Sequence, residues 1–565
     1  MTYRSPAGKI GVGPAVNRKL NIAAIVMYVC LTVLILYVAF PMAVVNALVS
    51  DIVTVLLFSA IISLLVYGSL KIHNLSDLAK FLPAAMVMVF LIRAIPNIIL
   101  HYPPLSDPYF HYICTLNVLE YGTVQSQVTW WYGLAPMQLS WPMMHILTAQ
   151  LVEMTGLDPM FFFRFFAPLM GLAFFLGLFS LAQLFLKNYG MSLLAALIGS
   201  MGSTVIFFQS EYHPQGLALT LFIFILICFF KTRGRSDAPL IIISLVFILA
   251  FVFTHHFSTL FLSLIFLAFF MLGFIASKLP ILKGRFGFLW GDSRFLLPVA
   301  VVILIFCIYT NPDLVKLLFS WSFDLKPGSG LTTATEQLAV PVLTTILNGF
   351  KWIPVIMVVL TAPFILKHGD NNQTRLLALV SLIFAVGFMG LFLFFLPLDR
   401  LLALSMPIIG IICAYALLQL SRSKKKFKNI VLASCAFALT FAMIAGMFAS
   451  QMPAYFFRSP GTDPYYWYGN DLPQAVEMEQ SGLWSIENIE RNSTYGITFA
   501  TWSIPFYYGQ NPIGSIGGID LDRHYDFIVV NENVYYEAKK SLAQIGMEAN
   551  KVYSGPNIVY YYYSN

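Results

Sequence analysis

An all-α polytopic membrane protein of about 13 transmembrane helices, followed by a small C-terminal extracytoplasmic α/β domain, is the fold class this chain predicts. Three observations carry that expectation. Of 565 residues, 59% are hydrophobic and only 10% charged, whereas a soluble domain carries about a quarter charged residues. Mean hydropathy is +0.78, and apolar runs near the ~20 residues that cross a bilayer recur along the chain. From Gln451 onward the sequence turns polar and Tyr-rich.

Residues 1–19 form a polar, basic segment without a cleavable leader pattern. The transmembrane domain is expected over residues 20–450. Its apolar spans run Leu20–Val49, Ile52–Leu70, Phe81–Leu100, Phe161–Leu186, Met191–Phe208, Gly216–Phe230, Leu240–Phe253, Thr259–Ala276, Phe295–Thr310, Ile353–Leu366, Leu376–Leu396, Leu401–Leu420 and Ile430–Ser450. Short Lys/Arg-rich loops mark the cytoplasmic side. With a cytoplasmic N-terminus, the inside segments hold 21 of the 33 Lys+Arg but only four acids: Asp77, Asp237, Asp292 and Asp370. Arg422-Ser423-Lys424-Lys425-Lys426-Phe427-Lys428 is the strongest single signal, read as a solvated headgroup anchor. The net charge of +7 is explained by these loops and points to no nucleic-acid partner.

Two external loops are long, about 101–160 and 311–351. The first contains a short amphipathic stretch, Ser140–Met154, that fits the membrane interface. Within the spans, Arg93 is expected to snorkel toward the outer face. The runs Phe161-Phe162-Phe163 and Trp130-Trp131-Tyr132 are expected to be lipid-facing or interfacial.

Residues 451–565 form the outer domain, its ordered part starting near Tyr465. Strands are predicted at Asp526–Val530, Asn550–Tyr553 and Ile558–Tyr563, and a helix at Tyr535–Ile545. Asn492-Ser493-Thr494 is a lone glycosylation-type sequon. Five cysteines lie in apolar spans and Cys114 lies in the first external loop. No disulfide framework or Cys/His metal spacing follows.

The chemistry is signalled by polar residues gathered at outer boundaries. Leu105-Ser106-Asp107-Pro108-Tyr109-Phe110-His111 places an acid at a membrane edge, where it is costly and therefore a functional candidate. Its plainer reading is a helix cap with Pro108 at the first position. Ser210-Glu211-Tyr212-His213-Pro214-Gln215 forms a second outer turn. His255-His256 forms a third, with turn residues hydrogen-bonded to backbone as the plainer reading. Glu336 lies in the second long loop, and Asp399-Arg400 at a span boundary. Carboxylates and imidazoles of this kind can hold a divalent cation or take an acceptor proton, and an arginine can neutralise a phosphate leaving group. A transporter would instead carry polar groups near the midplane.

These motifs resemble the catalytic subunit of oligosaccharyltransferase, a member of the GT-C superfamily of membrane glycosyltransferases. Ser106-Asp107-Pro108-Tyr109-Phe110-His111 is similar to the family's first-loop Asp-Pro-aromatic motif. Ser210–Ala218 is similar to its second acidic motif. Thr333-Ala334-Thr335-Glu336 resembles its Thr-x-x-Glu element, and Arg400 stands like the arginine that contacts the lipid-linked phosphate. The resemblance implies a GT-C-like fold, with Asp107 as base or metal ligand and Glu336 at the acceptor or metal. Arg400, His111, Glu211 and Tyr109 would bind substrate, and His213 would occupy a metal-ligand position. The cofactor implied is a divalent cation, Mg or Mn. His213 and Gln215 stand where the family has two acids, and no Trp-Trp-Asp-Tyr-Gly motif is present. The expected activity is therefore transfer of a sugar from a polyprenyl-phosphate or -diphosphate donor to a protein, lipid or glycan acceptor at the outer face of the plasma membrane. The alternatives are transfer to a sequon asparagine, a lipid-linked sugar flippase or transporter, and a non-catalytic scaffold.

Overall fold

The computed structural model describes residues 14–39, 47–99, 106–122, 141–232, 238–279, 299–306, 349–350, 352–369, 374–382, 398–423 and 427–449, and in the C-terminal segment 484, 488, 495–497, 527–531, 549–554 and 558–563. Fourteen helices organise this part of the chain. They are α1 (Pro14–Ala39), α2 (Ala47–Lys71), α3 (Leu75–Ile99), α4 (Ser106–Tyr121), α5 (Met143–Thr155), α6 (Pro159–Leu186), α7 (Tyr189–Ser200), α8 (Ser203–Ser210), α9 (Pro214–Thr232), α10 (Ala238–Val252), α11 (His256–Lys278), α12 (Ile353–His368), α13 (Leu398–Arg422) and α14 (Lys428–Ala449). Residues 299–306 and 374–382 are also helical.

Among the described residues, seven helices are long and apolar enough to cross a membrane, or eight if α7 and α8 count as one broken span. The protein is a multi-pass helical membrane protein. The faces of α1, α10 and α14 expose Ile25, Leu36, Ile242, Val246, Ile430 and Phe437. Water would penalise such contiguous apolar surface, and lipid does not. α13 sits at the centre, with 94% of its apolar window buried, and packs along α7 and α12. Small residues allow its close approach to α7: a Cβ on Gly410 would lie 2.6 Å from the Ala195 carbonyl oxygen.

Local chemistry sets the helix ends. Asp158 caps α6 by accepting from the Met160 N–H at 2.7 Å, with Pro159 in the first turn. Asn188 caps α7 by accepting from the Met191 N–H at 2.9 Å. Lys187, at φ 47°, turns the chain between them.

The sequence reads Met191–Phe208 as one span. The structure divides it at Met201-Gly202 and bends it by 71°. The Gly199-Ser200 and Gly202-Ser203 pairs are a recognised cause of such a kink. Arg93 of α3 fills the elbow. Its Nη2 donates to the Ser200 carbonyl at 2.7 Å and to Gln209 Oε1 at 2.9 Å, its Nε donates to Gln209 Oε1 at 3.1 Å, and its Nη1 donates to the Val89 carbonyl at 3.0 Å. The expectation that Arg93 snorkels is thus corrected: it is fully buried and satisfied by groups the bend exposes. Gly171 of α6 makes room, since a Cβ there would collide with the Arg93 side chain. Phe162 and Phe163 are likewise buried, and only Phe161 of that run is exposed. Tyr112 stacks on Phe163 at 4.5 Å, which takes Phe163 out of the expected aromatic belt.

The C-terminal segment contains a four-stranded sheet of β1 (Tyr495–Ile497), β2 (Phe527–Asn531), β3 (Ala549–Ser554) and β4 (Ile558–Tyr563), in the order β1-β2-β4-β3. β1 runs parallel to β2, and the other two pairings are antiparallel. The β3–β4 register shifts between Lys551 and Tyr553, as at a bulge. The three predicted strands fall on β2, β3 and β4. β1 is too short to show alternation in the sequence. The predicted helix Tyr535–Ile545, Cys307, the sequon, and the Trp130–Tyr132 and 311–348 stretches lie outside the described residues.

A buried histidine row as the candidate active site

Five of the nine histidines meet at one end of the bundle. His111 lies in the second turn of α4 and His145 in the first turn of α5. His213 precedes α9, and His255 and His256 open α11. Their ring centroids step along a row: His145 to His111 5.2 Å, His111 to His213 5.5 Å, His213 to His255 5.9 Å, and His255 to His256 4.9 Å. The Trp141 ring closes the row 4.8 Å from His256. The elements are tied together by backbone as well, since the Met143 N–H donates to the Phe253 carbonyl at 3.0 Å.

Hydrogen bonds orient the imidazoles. His111 Nδ1 and His145 Nε2 share a proton at 3.0 Å. His213 Nδ1 accepts from the Gln215 N–H at 3.1 Å. His255 Nδ1 lies 2.9 Å from Ser258 Oγ and accepts from the Ser258 N–H, so His255 is bonded to backbone as the plainer reading expected, and does so as the cap of α11 within the site. Tyr212, packed between Phe163 and Phe166, bonds Thr115 Oγ1 at 2.7 Å. The preceding turn is fixed by Asn97, whose Nδ2 donates to the Ser210 carbonyl at 2.7 Å. Arg164 in turn donates to the Asn97 carbonyl.

Burial sets the electrostatics. His145 is held at about 3 by desolvation. His213 is also held at about 3, first by burial and then by the positive charge of Arg400 and by His256. Burial, then His145 and His213, pushes His111 well below the ordinary imidazole value. His255 is pushed down by burial and by neighbours that include Arg400. These rings are therefore neutral near pH 7 and act as hydrogen-bonding groups.

Arg400 is in the first turn of α13, half-buried, and its charge is felt by His213, His255 and His256. Five helices, α4, α5, α9, α11 and α13, begin at this end of the bundle. Each N-terminus is the positive end of a helix dipole, although first-turn N–H groups of α5, α9 and α11 are taken by the Phe253 carbonyl, His213 Nδ1 and His255 Nδ1. Glu211, buried beside Tyr212, is the acidic side chain described in this turn.

The structure brings together His111, Glu211, His213 and Arg400, which the sequence predicted from separate segments. Asp107 and Tyr109 lie in the first turn of α4, but their side chains fall outside the described residues, as does all of Glu336. Helix α4 starts at Ser106, two residues before the Pro108 start expected with Asp107 as cap, so Asp107 lies within the first turn; the shift is within the usual latitude of helix ends. Sequence reasoning missed His145 and Trp141, and named Gln215 only as a departure from the family's acids. His145 sat in a stretch read as interfacial, and its burial at 1% exposure was the missing information.

The described residues do not by themselves fit a cation site. Among them, no group of three His, Cys, Asp or Glu side chains is placed to hold a metal, and His213 Nδ1 is committed to the Gln215 N–H.

Fold and site together define a multi-pass membrane protein with a buried, neutral imidazole row beside an arginine and several helix N-termini. No protein-family model and no curated protein matches the chain. Among solved structures, ArnT from Cupriavidus metallidurans bound to undecaprenyl phosphate is similar, with a TM-score of 0.48, 10% identity, and coverage of 86% of this chain and 98% of that one. ArnT from the same organism in the apo state gives a TM-score of 0.47 and 11% identity over the same shares. At those scores neither likeness assigns this chain a family, a substrate or an activity.

Proposed function

We propose that this protein is a GT-C type glycosyltransferase. It moves a sugar from a polyprenyl-phosphate or polyprenyl-diphosphate donor to a protein, lipid or glycan acceptor at the outer face of the plasma membrane. The N-terminus is cytoplasmic and residues 451–565 form an extracytoplasmic domain. The observation that supports this most is the meeting of Arg400 with the N-terminal ends of five helices at one buried site. The positive ends of the helix dipoles and a guanidinium together favour an anion, and phosphate above all.

In this reading Arg400 and the helix N-termini hold the donor phosphate, and Tyr109, His111 and Glu211 border the substrates. Asp107 takes the acceptor's O–H proton while the acceptor oxygen bonds to the anomeric carbon from the face opposite the phosphate. The anomeric C–O bond breaks, and its electron pair leaves on the phosphate oxygen beside Arg400. Stabilising that oxygen where charge develops is the main electrostatic contribution. Glu336 contacts the acceptor. No step is assigned to a cation; Mg or Mn held by Asp107 is one arm of the test.

The test measures sugar transfer from polyprenyl-phosphate sugars in membranes carrying the protein, with and without chelator. Asp107→Ala and Arg400→Ala are expected to lower transfer at least ~100-fold while folded protein is retained. Retained transfer in Asp107→Ala removes the acid from the mechanism. No transfer by the folded wild type across donors favours a transporter or a scaffold.

A further inference from the structure

Several buried polar atoms around the histidine row make no hydrogen bond. The Trp141 Nε1, the His145 Nδ1, and both the Nε2 and Oε1 of Gln215 are enclosed without a partner among the described residues. All three residues are buried, Gln215 completely. Each touches the row at a different point: Trp141 packs on His256, His145 bonds His111, and the Gln215 backbone bonds His213. Buried polar groups are almost always paired, because an unmade bond there costs the full desolvation of the group. The orphaned atoms here are all on uncharged side chains, and they offer an indole donor, an amide donor and acceptor, and an imidazole nitrogen. A phosphate would find only part of this set useful. Vicinal hydroxyls, each able to donate and accept, would satisfy it, and the adjoining aromatic rings offer an apolar face to a sugar ring.

We propose that Trp141, His145 and Gln215 line a subsite for an uncharged polyhydroxyl group, the sugar of the lipid-linked donor; this rests on the donor reading above. Arg400 and the helix N-termini then hold the phosphate, while these three residues read the sugar. Discrimination arises because a donor lacking the matching hydroxyls leaves the same atoms unpaired.

The experiment compares binding of bare polyprenyl phosphate with polyprenyl phosphates bearing one mannose, glucose or galactose. It uses the purified full chain and also follows the unfolding temperature without ligand. At least one hexosyl form is expected to bind about tenfold tighter than the bare lipid, as one or two buried hydrogen bonds would give. Gln215→Leu, near-isosteric and apolar, should erase that difference, leave bare-lipid affinity in place, and keep or raise the unfolding temperature. Trp141→Phe, which keeps a ring and drops the N–H, should reduce the difference in the same way. Equal binding of bare and hexosyl lipids by the wild type overturns the subsite but not the donor reading. So does a Gln215→Leu protein that loses both affinities and unfolding temperature together. Absence of binding to any polyprenyl phosphate overturns the donor reading and the subsite with it.

Discussion

The two ends of the helical bundle handle polar groups in opposite ways. At one end α9, α11 and α13 finish in Lys231, Lys278 and Arg422, all exposed. There the cations complement the helix C-termini and stay solvated. The Lys80–Asp77 pair at 3.1 Å, with Asn21 also accepting from Lys80, belongs to the same region. At the other end the same three helices begin, and the polar groups beside them are buried imidazoles, a buried acid and amides without a hydrogen-bond partner among the described residues. The first arrangement costs little. The second is expensive to fold, and that difference picks out the candidate site.

The comparison is most directly tested at its costliest contact. Arg93→Met would leave the Ser200 carbonyl and Gln209 without their donors at the α7–α8 bend. A loss of about 3 kcal/mol of stability is expected, the sum of a charged hydrogen bond and the orphaned groups. Thermal unfolding in detergent measures it, and an unchanged midpoint would mean that packing alone holds the bend.

The next effect comes from pH. His145 sits at about 3 in the folded protein and near 6.5 when unfolded. Below pH ~6.5 the unfolded chain therefore takes up a proton that the folded one refuses. Stability is complete above that pH and falls by ~1.4 kcal/mol per pH unit for this group as pH drops toward 3. Unfolding midpoints at pH 7, 6, 5 and 4 follow this decline, and His145→Gln should make it shallower. A decline of equal slope in the variant would assign the acid sensitivity to other groups.

The smallest change belongs to the basic end. Lys80→Ala removes a part-buried pair and leaves the buried Asp77 without its cation, and should cost about 1 kcal/mol. A cost near that of Arg93→Met would erase the distinction between the two ends.

Most of the fold was legible because hydrophobic length is the dominant signal in a membrane chain. The spans at α3, α6, α9, α11, α13 and α14 follow from it directly. The strands β2, β3 and β4 were legible from β-branched and aromatic runs at Phe527–Val530 and Ile558–Tyr563. The bend within Met191–Phe208 was not, because hydropathy averages over Gly199-Ser200 and Gly202-Ser203. Of the site, His111, Glu211, His213 and Arg400 were visible as polar residues at span boundaries. Their mutual contacts were not, nor was His145, because which face of α5 turns inward depends on α4 packing against it. Arg93 was misread for a related reason: its partners lie more than a hundred residues away.

The elbow that Arg93 fills also fixes a length. Helix α8 spans eight residues between the bend and the turn that carries Glu211 and His213. Each helical residue advances the chain ~1.5 Å and rotates it by ~100°. Removing one residue from α8 would therefore swing His213 about a quarter turn away from His111 and His255. The row can absorb substitutions along α8 but not a change in its residue count, so the spacing from Gly202 to His213 works as a ruler for the site.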